Sequence, residues 1–220
     1  MPPSPPALIA VGLLLQSRRV TIVGAGSVGT AKIETFLNAG AHIRVVAPVA
    51  TALCQSWAAQ GWLEWHARPF LPTDLDDAFL AVTATGLPAV DAAVFAAAEA
   101  RHCLCNAADV PSACSVYLMS QEQVGPVTLA LGTSGTAPGL TGRLRREART
   151  GLPDDLEALV QTYATLRRWL IDDHAPGTAS LPQRMATLRW LSRQPWPWFR
   201  QEYAALQVEL AARHALGTSL

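Results

Sequence analysis

The chain has a single lysine, Lys32, and the rest of its formal positive charge is arginine. A Tyr-x-x-x-Lys pair of the kind many small NAD-dependent dehydrogenases use is therefore missing. Charge of either sign is scarce, at 15% of residues, and the formal net charge is zero. Neither a nucleic acid nor a membrane is expected as a partner on that balance. The apolar run Val11 to Leu15 is too short to span a bilayer. Met1 to Ala10 carries prolines but no basic segment ahead of an apolar one, so no secretory leader is expected and a cytoplasmic location is. The four cysteines, Cys54, Cys103, Cys105 and Cys114, include no C-x-x-C, and Cys103-x-Cys105 lacks zinc-site spacing. The histidines are scattered, with no H-x-x-x-H pair. Neither a disulfide framework nor a protein-held metal is expected.

What the chain does have is half its residues apolar, enough for a sizeable core, in 220 residues. Its focus is Val20 to Gly29. A β-branched run, Val20 to Val23, ends in Gly24, Gly26 and Gly29, spaced G-x-G-x-x-G, and helix formers follow to Asn38. That pattern predicts a strand, a tight turn and a helix, the opening of a dinucleotide-binding βαβ unit. Gly24 makes the turn, Gly26 lets a pyrophosphate approach the backbone, and Gly29 lets helix and strand pack. Ser27 and Val28 offer backbone N–H groups at the helix start, where anions are favoured. A glycine-rich turn without a ligand is the plain alternative.

Downstream, short apolar strands alternate with helices. Ile43 to Val46, Trp62 to His66, Phe79 to Val82 and a strand opening at Cys103 to Cys105 read as strands; Thr51 to Gln60 and Ala89 to Ala100 read as helices. This alternation predicts an α/β, Rossmann-like parallel sheet covered on both faces. Beyond Asn106 the rhythm changes. Cys114 to Met119 and Val127 to Leu131 read as strands joined at Gly125-Pro126, followed by a basic helix from Leu140 to Arg149. After Pro153 only helices are expected, the last from Trp198 to about His214, and the tryptophans there read as packing, as a dimer interface or as a wall for a flat ligand. The expected organisation is a nucleotide-binding domain over 1–112, a small α+β segment over 113–150 and a helical C-terminal domain over 151–220.

The second strand ends without an acidic residue between Ile43 and Thr51, where a Rossmann site ordinarily binds the ribose. Ala47, Pro48 and Val49 are expected to line the adenosine side. Arg44 lies mid-strand, too early to face the ribose, which favours NAD over NADP. Thr83 and Thr85 flank a strand end beside the cofactor. Asn106 ends another strand, as a nicotinamide contact or as a turn residue. Asp109 reads either as a proton acceptor or as the Asx residue of a turn before Pro111.

Several segments together resemble the precorrin-2 dehydrogenase family, including the dehydrogenase/ferrochelatase part of siroheme synthase. They are Leu13 to Gly26, Lys32, Asn38 to Pro48, Thr83-Ala-Thr85, Cys105-Asn-Ala-Ala-Asp109 and Gly132-Thr-Ser-Gly-Thr-Ala-Pro138, a stretch running from about Leu8 to Arg149. The resemblance implies a homodimer that oxidises precorrin-2 to sirohydrochlorin with NAD. Some members also insert ferrous iron, which is then a substrate. It implies Asp109 as the catalytic acid or base and residues 113–150 as the dimerisation segment. Thr133 and Ser134 lie in a loop that can hydrogen-bond the carboxylates of such a tetrapyrrole, and Arg143 and Arg146 read either as partners for those carboxylates or as a solvated basic helix face. The chain departs from the family's pattern at Thr85-Gly-Leu87, where acidic residues are usual, and at Val116 to Ser120, which lacks a proline. A reading from a different class stays open: a non-catalytic NAD-sensing regulatory module with a helical dimerisation tail.

Overall fold

A computed structural model describes residues 8–107, 110, 113–171 and 181–215. The chain divides into two compact units: residues 1–118 with 132–138, and residues 119–131 with 139–220.

The first unit is built on five parallel strands: β1 (Arg19–Ala25), β2 (His42–Ala50), β3 (Leu63–His66), β4 (Leu80–Thr83) and β5 (Leu104–Ala107), in the order β3-β2-β1-β4-β5. The chain reverses direction across the sheet between β1 and β4, the switch point at which open α/β sheets bind ligands. One face packs on α1 (Ser27–Asn38) and α2 (Ala52–Ala59), burying Val20, Ile22, Ile33, Phe36, Val45 and Val82. The other face, over β4 and β5, packs on α3 (Pro88–Glu99), burying Ala81, Val94, Ala98 and Cys105. Cys54, Cys103 and Cys105 are core residues whose thiols burial pushes up, Cys105 to about 12, so none is poised as a thiolate.

Over β1 to β3 that second face is closed by ions instead of a helix. Arg44 of β2 pairs with Glu64 of β3 and with Asp77, while Arg19 of β1 reaches the same two carboxylates. Nearby, Arg68 grips the buried Asp74 carboxylate with two hydrogen bonds, and the Leu71 N–H adds a third at 2.8 Å. Asp74 lies on a 3-10 turn over Pro72–Leu75.

In the second unit, β6 (Ser120–Val124) and β7 (Val127–Leu131) form an antiparallel hairpin. The strand expected over Cys114 to Met119 is thus displaced: the strand that pairs is Ser120–Val124. Both faces of this two-stranded ribbon are partly open, so its polar Ser-Gln-Glu-Gln sequence costs nothing in burial and shows no apolar alternation. Residues 115 and 116 instead donate their backbone N–H groups to the Cys105 carbonyl at the edge of the first unit's sheet. The helices are α4 (Pro138–Thr150), α5 (Leu156–Ile171), α6 (Leu181–Leu191) and α7 (Tyr203–Ala215). The last begins at Tyr203, five residues later than expected. Pro195 and Pro197 hold the preceding stretch in a 3-10 turn over Trp196–Arg200. Leu159, Leu166, Leu170, Leu191, Phe199, Leu206 and Leu210 form the unit's core, with Trp169, Trp190 and Trp198 packed against it. Trp190 meets Trp198 edge to face at 5.4 Å. Core packing therefore occupies these three tryptophans; Trp196 is 43% exposed.

Candidate functional site

The carboxyl ends of β1, β2, β4 and β5 gather most of the expected cofactor residues in one corner of the first unit. Gly24 breaks the β1–β2 ladder there. Val23 pairs with Val46, but Ala25 pairs with Ala50, so residues 47–49 bow out opposite a single glycine. Gly24 has φ +100°, and a Cβ on it would lie 2.5 Å from the Ala84 carbonyl oxygen. A Cβ on Gly29 would collide with the Gly24 carbonyl. These two glycines are required by close packing of turn, helix and neighbouring strand.

Gly26 is different. It has an ordinary extended backbone (φ −73°, ψ −170°), and a Cβ there would meet no atom within 4 Å. As the N-cap of α1 it provides no side-chain cap to the first turn. The open space therefore lies against the N–H groups of Ser27, Val28 and Gly29, at the positive end of a 12-residue helix. Gly26, Ser27, Val28, Pro48 and Val49 are exposed around it, Val28 at 55% and Val49 at 78%, and Ala47 is buried behind them with its carbonyl accepting from the Trp65 indole at 3.0 Å. An open cradle that any side chain at position 26 would fill, next to uncapped helix N–H groups, fits a pyrophosphate. Exposed apolar side chains on either rim fit an adenine.

Two threonines outside the expected set fix this corner. The Thr30 hydroxyl lies 2.8 Å from both the Gly26 carbonyl and the Thr51 hydroxyl, and the Thr51 oxygen also accepts from the Cys54 N–H as N-cap of α2. Ser/Thr N-cap preference is the signal by which Thr51 could be found in the sequence; Thr30, inside a helix, carries none.

At the end of β4, Thr83 is fully buried and its hydroxyl has no hydrogen-bond partner among the described residues. Thr85 donates its hydroxyl to the Asp91 carboxylate at 2.7 Å and receives the Leu87 N–H. At the end of β5, Asn106 is 8% exposed; its Nδ2 donates to the Val116 carbonyl at 2.9 Å, and Lys32 Nζ on α1 lies 3.5 Å from its Oδ1. Cys114 packs beside it, accepting from the Ala107 N–H at 3.2 Å. Burial pushes the Cys114 thiol up, while its contact with the Ala107 backbone and the Lys32 charge act the other way. Asp109 lies outside the described residues, two positions past the end of β5.

The expected substrate residues fall in both units. Thr133 and Ser134 belong to a turn in the first, where the Thr133 hydroxyl accepts from the Ala137 N–H and Ser134 has φ +52°. Arg143 and Arg146 lie on α4 in the second. Arg143 pairs with Glu147 one turn on, at 2.7 Å, in full view of solvent. Among the described residues Arg146 is exposed and pairs with no carboxylate, whereas Arg145 is bound to Glu122 and Ser120. No described helix is long and apolar enough to cross a membrane, and the described residues include no group of three His, Cys, Asp or Glu able to hold a metal.

Known proteins share this architecture. A family model described as "Putative NAD(P)-binding" matches residues 11–120. Siroheme synthase 1 of Yersinia enterocolitica is 37% identical over 155 residues, 70% of this chain and 32% of that protein. The siroheme biosynthesis protein met8 of Schizosaccharomyces pombe is 31% identical over 202 residues, 90% of this chain and 75% of that one. Among solved structures, one titled SirC, precorrin-2 dehydrogenase, aligns with a TM-score of 0.72 at 25% identity, covering 95% of this chain and 100% of its own. The chain spans about a third of the length of the siroheme synthases it matches.

Proposed function

The chain belongs to the family of precorrin-2 dehydrogenases and the N-terminal parts of siroheme synthases, and on that premise we propose that it oxidises precorrin-2 to sirohydrochlorin with NAD. The observation that carries the proposal is the open cradle at Gly26, walled by uncapped helix N–H groups at the sheet's switch point. When bound, the nicotinamide accepts a hydride; the accompanying proton must go to a base. Ser27, Val28 and Gly29 hold the pyrophosphate through their backbone, and Val28 and Val49 bracket the adenine. Arg44 is already committed to Glu64 and Asp77, so it supplies no pocket for a 2′-phosphate, which supports NAD over NADP.

Asp109 is the proton acceptor in this reading. The support is its place in the sequence, just past β5, whose last residues line the same end of the sheet. Precorrin-2 is strongly anionic, and Thr133, Ser134, Arg143 and Arg146 are assigned to its carboxylates; Arg146 carries the strongest case because among the described residues it pairs with no carboxylate. Insertion of ferrous iron into the product would call on the same carboxylate to take pyrrole protons, with the metal arriving as substrate. We further assign homodimer formation to the hairpin and α4. No residue of α4 is buried, and Leu140 and Leu144, one turn apart, are 53% and 43% exposed. A second copy of the chain is the occupant this reading assigns to that face.

The test is direct. Purified protein given precorrin-2 and NAD should yield sirohydrochlorin, followed by its absorbance. Asp109→Ala should keep its affinity for NAD and lose turnover. A wild-type protein that binds NAD but never oxidises precorrin-2 would instead support the NAD-sensing module.

A further inference from the structure

We propose that Lys32 is a positioning residue of the dehydrogenation, acting through the carboxamide of Asn106. The proposal rests on the NAD-dependent reading above. Its basis is a hydrogen bond that crosses the sheet: Lys32 lies in the second turn of α1, and its Nζ is 3.5 Å from Oδ1 of Asn106 at the carboxyl end of β5.

A carboxamide has two donor hydrogens and two acceptor lone pairs, and alone it can flip end for end. Here both ends are held. An ammonium can only donate, so it fixes which end is oxygen; the Val116 carbonyl can only accept, so it fixes which end is nitrogen. The second N–H of Asn106 points to Cys114 Sγ at 3.8 Å, so among the described residues one lone pair of Oδ1 is left without a partner. That lone pair suits the carboxamide N–H of a nicotinamide, which it would accept. Asn106 is 8% exposed, so water is a poor substitute for either partner. Lys32 is thus assigned to keep Asn106 in the one orientation that seats the reactive ring, without touching the ring itself.

The composition of the chain makes the test clean. There are two asparagines, Asn38 and Asn106, and one lysine. With 15N introduced only at asparagine, the protein gives two pairs of side-chain amide signals, one pair from the exposed Asn38 and one from Asn106. In Lys32→Met, the Asn106 signals should shift and their hydrogens exchange faster with solvent, while those of Asn38 stay put. Affinity for NAD should change less than about threefold, because the pyrophosphate and adenosine contacts are intact. Turnover should fall about 10- to 100-fold from misplacement of the ring, and Lys32→Arg should recover part of it. Lys32→Met combined with Asn106→Ala should be no slower than Asn106→Ala alone, since the two act as one unit. Lys32→Gln serves as a second variant if Lys32→Met folds poorly.

Unmoved Asn106 signals, unchanged turnover, or losses that multiply in the double variant would overturn the proposal. A wild-type protein without turnover would count against the dehydrogenase reading instead, and the amide signals would still report on Lys32.

Discussion

Thr30 and Thr51 share a hydrogen bond of 2.8 Å that ties the first turn of α1 to the N-cap of α2. The two helices start from different strands, β1 and β2, and their first turns frame the glycine corner. Replacing Thr51 by Ala removes both this bond and the cap on the Cys54 N–H. Loss of a helix cap costs about 1 kcal/mol, so urea denaturation should show a drop of about that size. Thr51→Ser should restore most of it, because the serine hydroxyl can make both bonds.

The corner's glycines should separate stability from binding. Gly29→Ala puts a methyl group into the Gly24 carbonyl and should lower the unfolding midpoint markedly. Gly26→Ala puts the same methyl into empty space. Its melting temperature should stay within a few degrees of wild type, at about 0.5 kcal/mol or less of change. Its affinity for NAD, measured by calorimetry, should fall at least tenfold.

Acid should attack the ion pairs over β1 to β3. Burial alone would raise the Asp74 carboxyl; the hydrogen bonds from Arg68 and the Leu71 N–H outweigh it and hold the group below the ordinary aspartate value. Asp77 is lowered in the same way by Arg44 and Arg19, and Glu64 chiefly by its bond to Arg19. A carboxylate whose folded value lies below its unfolded one adds stability that is fully present above the unfolded value, about pH 4, and is lost as pH falls through the folded one. Melting temperature should therefore decline steeply below about pH 4. Asp74→Asn should be less stable at pH 7 and show a shallower decline. An identical slope would mean that Asp74 titrates alike in both states.

If α4 and the hairpin meet a second copy, Leu144→Glu should break it. Light scattering on wild type should give about twice the chain mass, and the variant should give the mass of one chain. A wild type that runs as a monomer at micromolar concentration would remove the dimer assignment.

Much of the first unit is legible in the sequence because each of its signals is local. Glycine spacing marks Gly24, Gly26 and Gly29, β-branched runs mark β1 and β2, and the first three residues of β4, Leu80, Ala81 and Val82, are apolar on both faces because helices cover both. The hairpin strand Ser120–Val124 is not legible in the same way: a partly open two-stranded ribbon imposes no apolar alternation, so the apolar Cys114 to Met119 draws the assignment instead. The bowing of residues 47–49 and the reach of Lys32 to Asn106 are tertiary. They depend on which strand neighbours which, and no spacing along the chain encodes them. The ion pairs of Arg44 are likewise invisible until β2, β3 and the Asp77 loop lie side by side. The order of segments from Leu8 to Arg149 carries the likeness to the family; the physics of a glycine corner alone points only to a dinucleotide.

The most direct measurement compares wild type with Gly26→Val, a substitution that fills the cradle and leaves the surrounding contacts alone. Each is mixed with precorrin-2 and NAD, and sirohydrochlorin and NADH are quantified together. The account predicts equal amounts of the two products from wild type and neither from a folded Gly26→Val. Sirohydrochlorin formed by Gly26→Val at the wild-type rate, or formed without matching NADH, would contradict it.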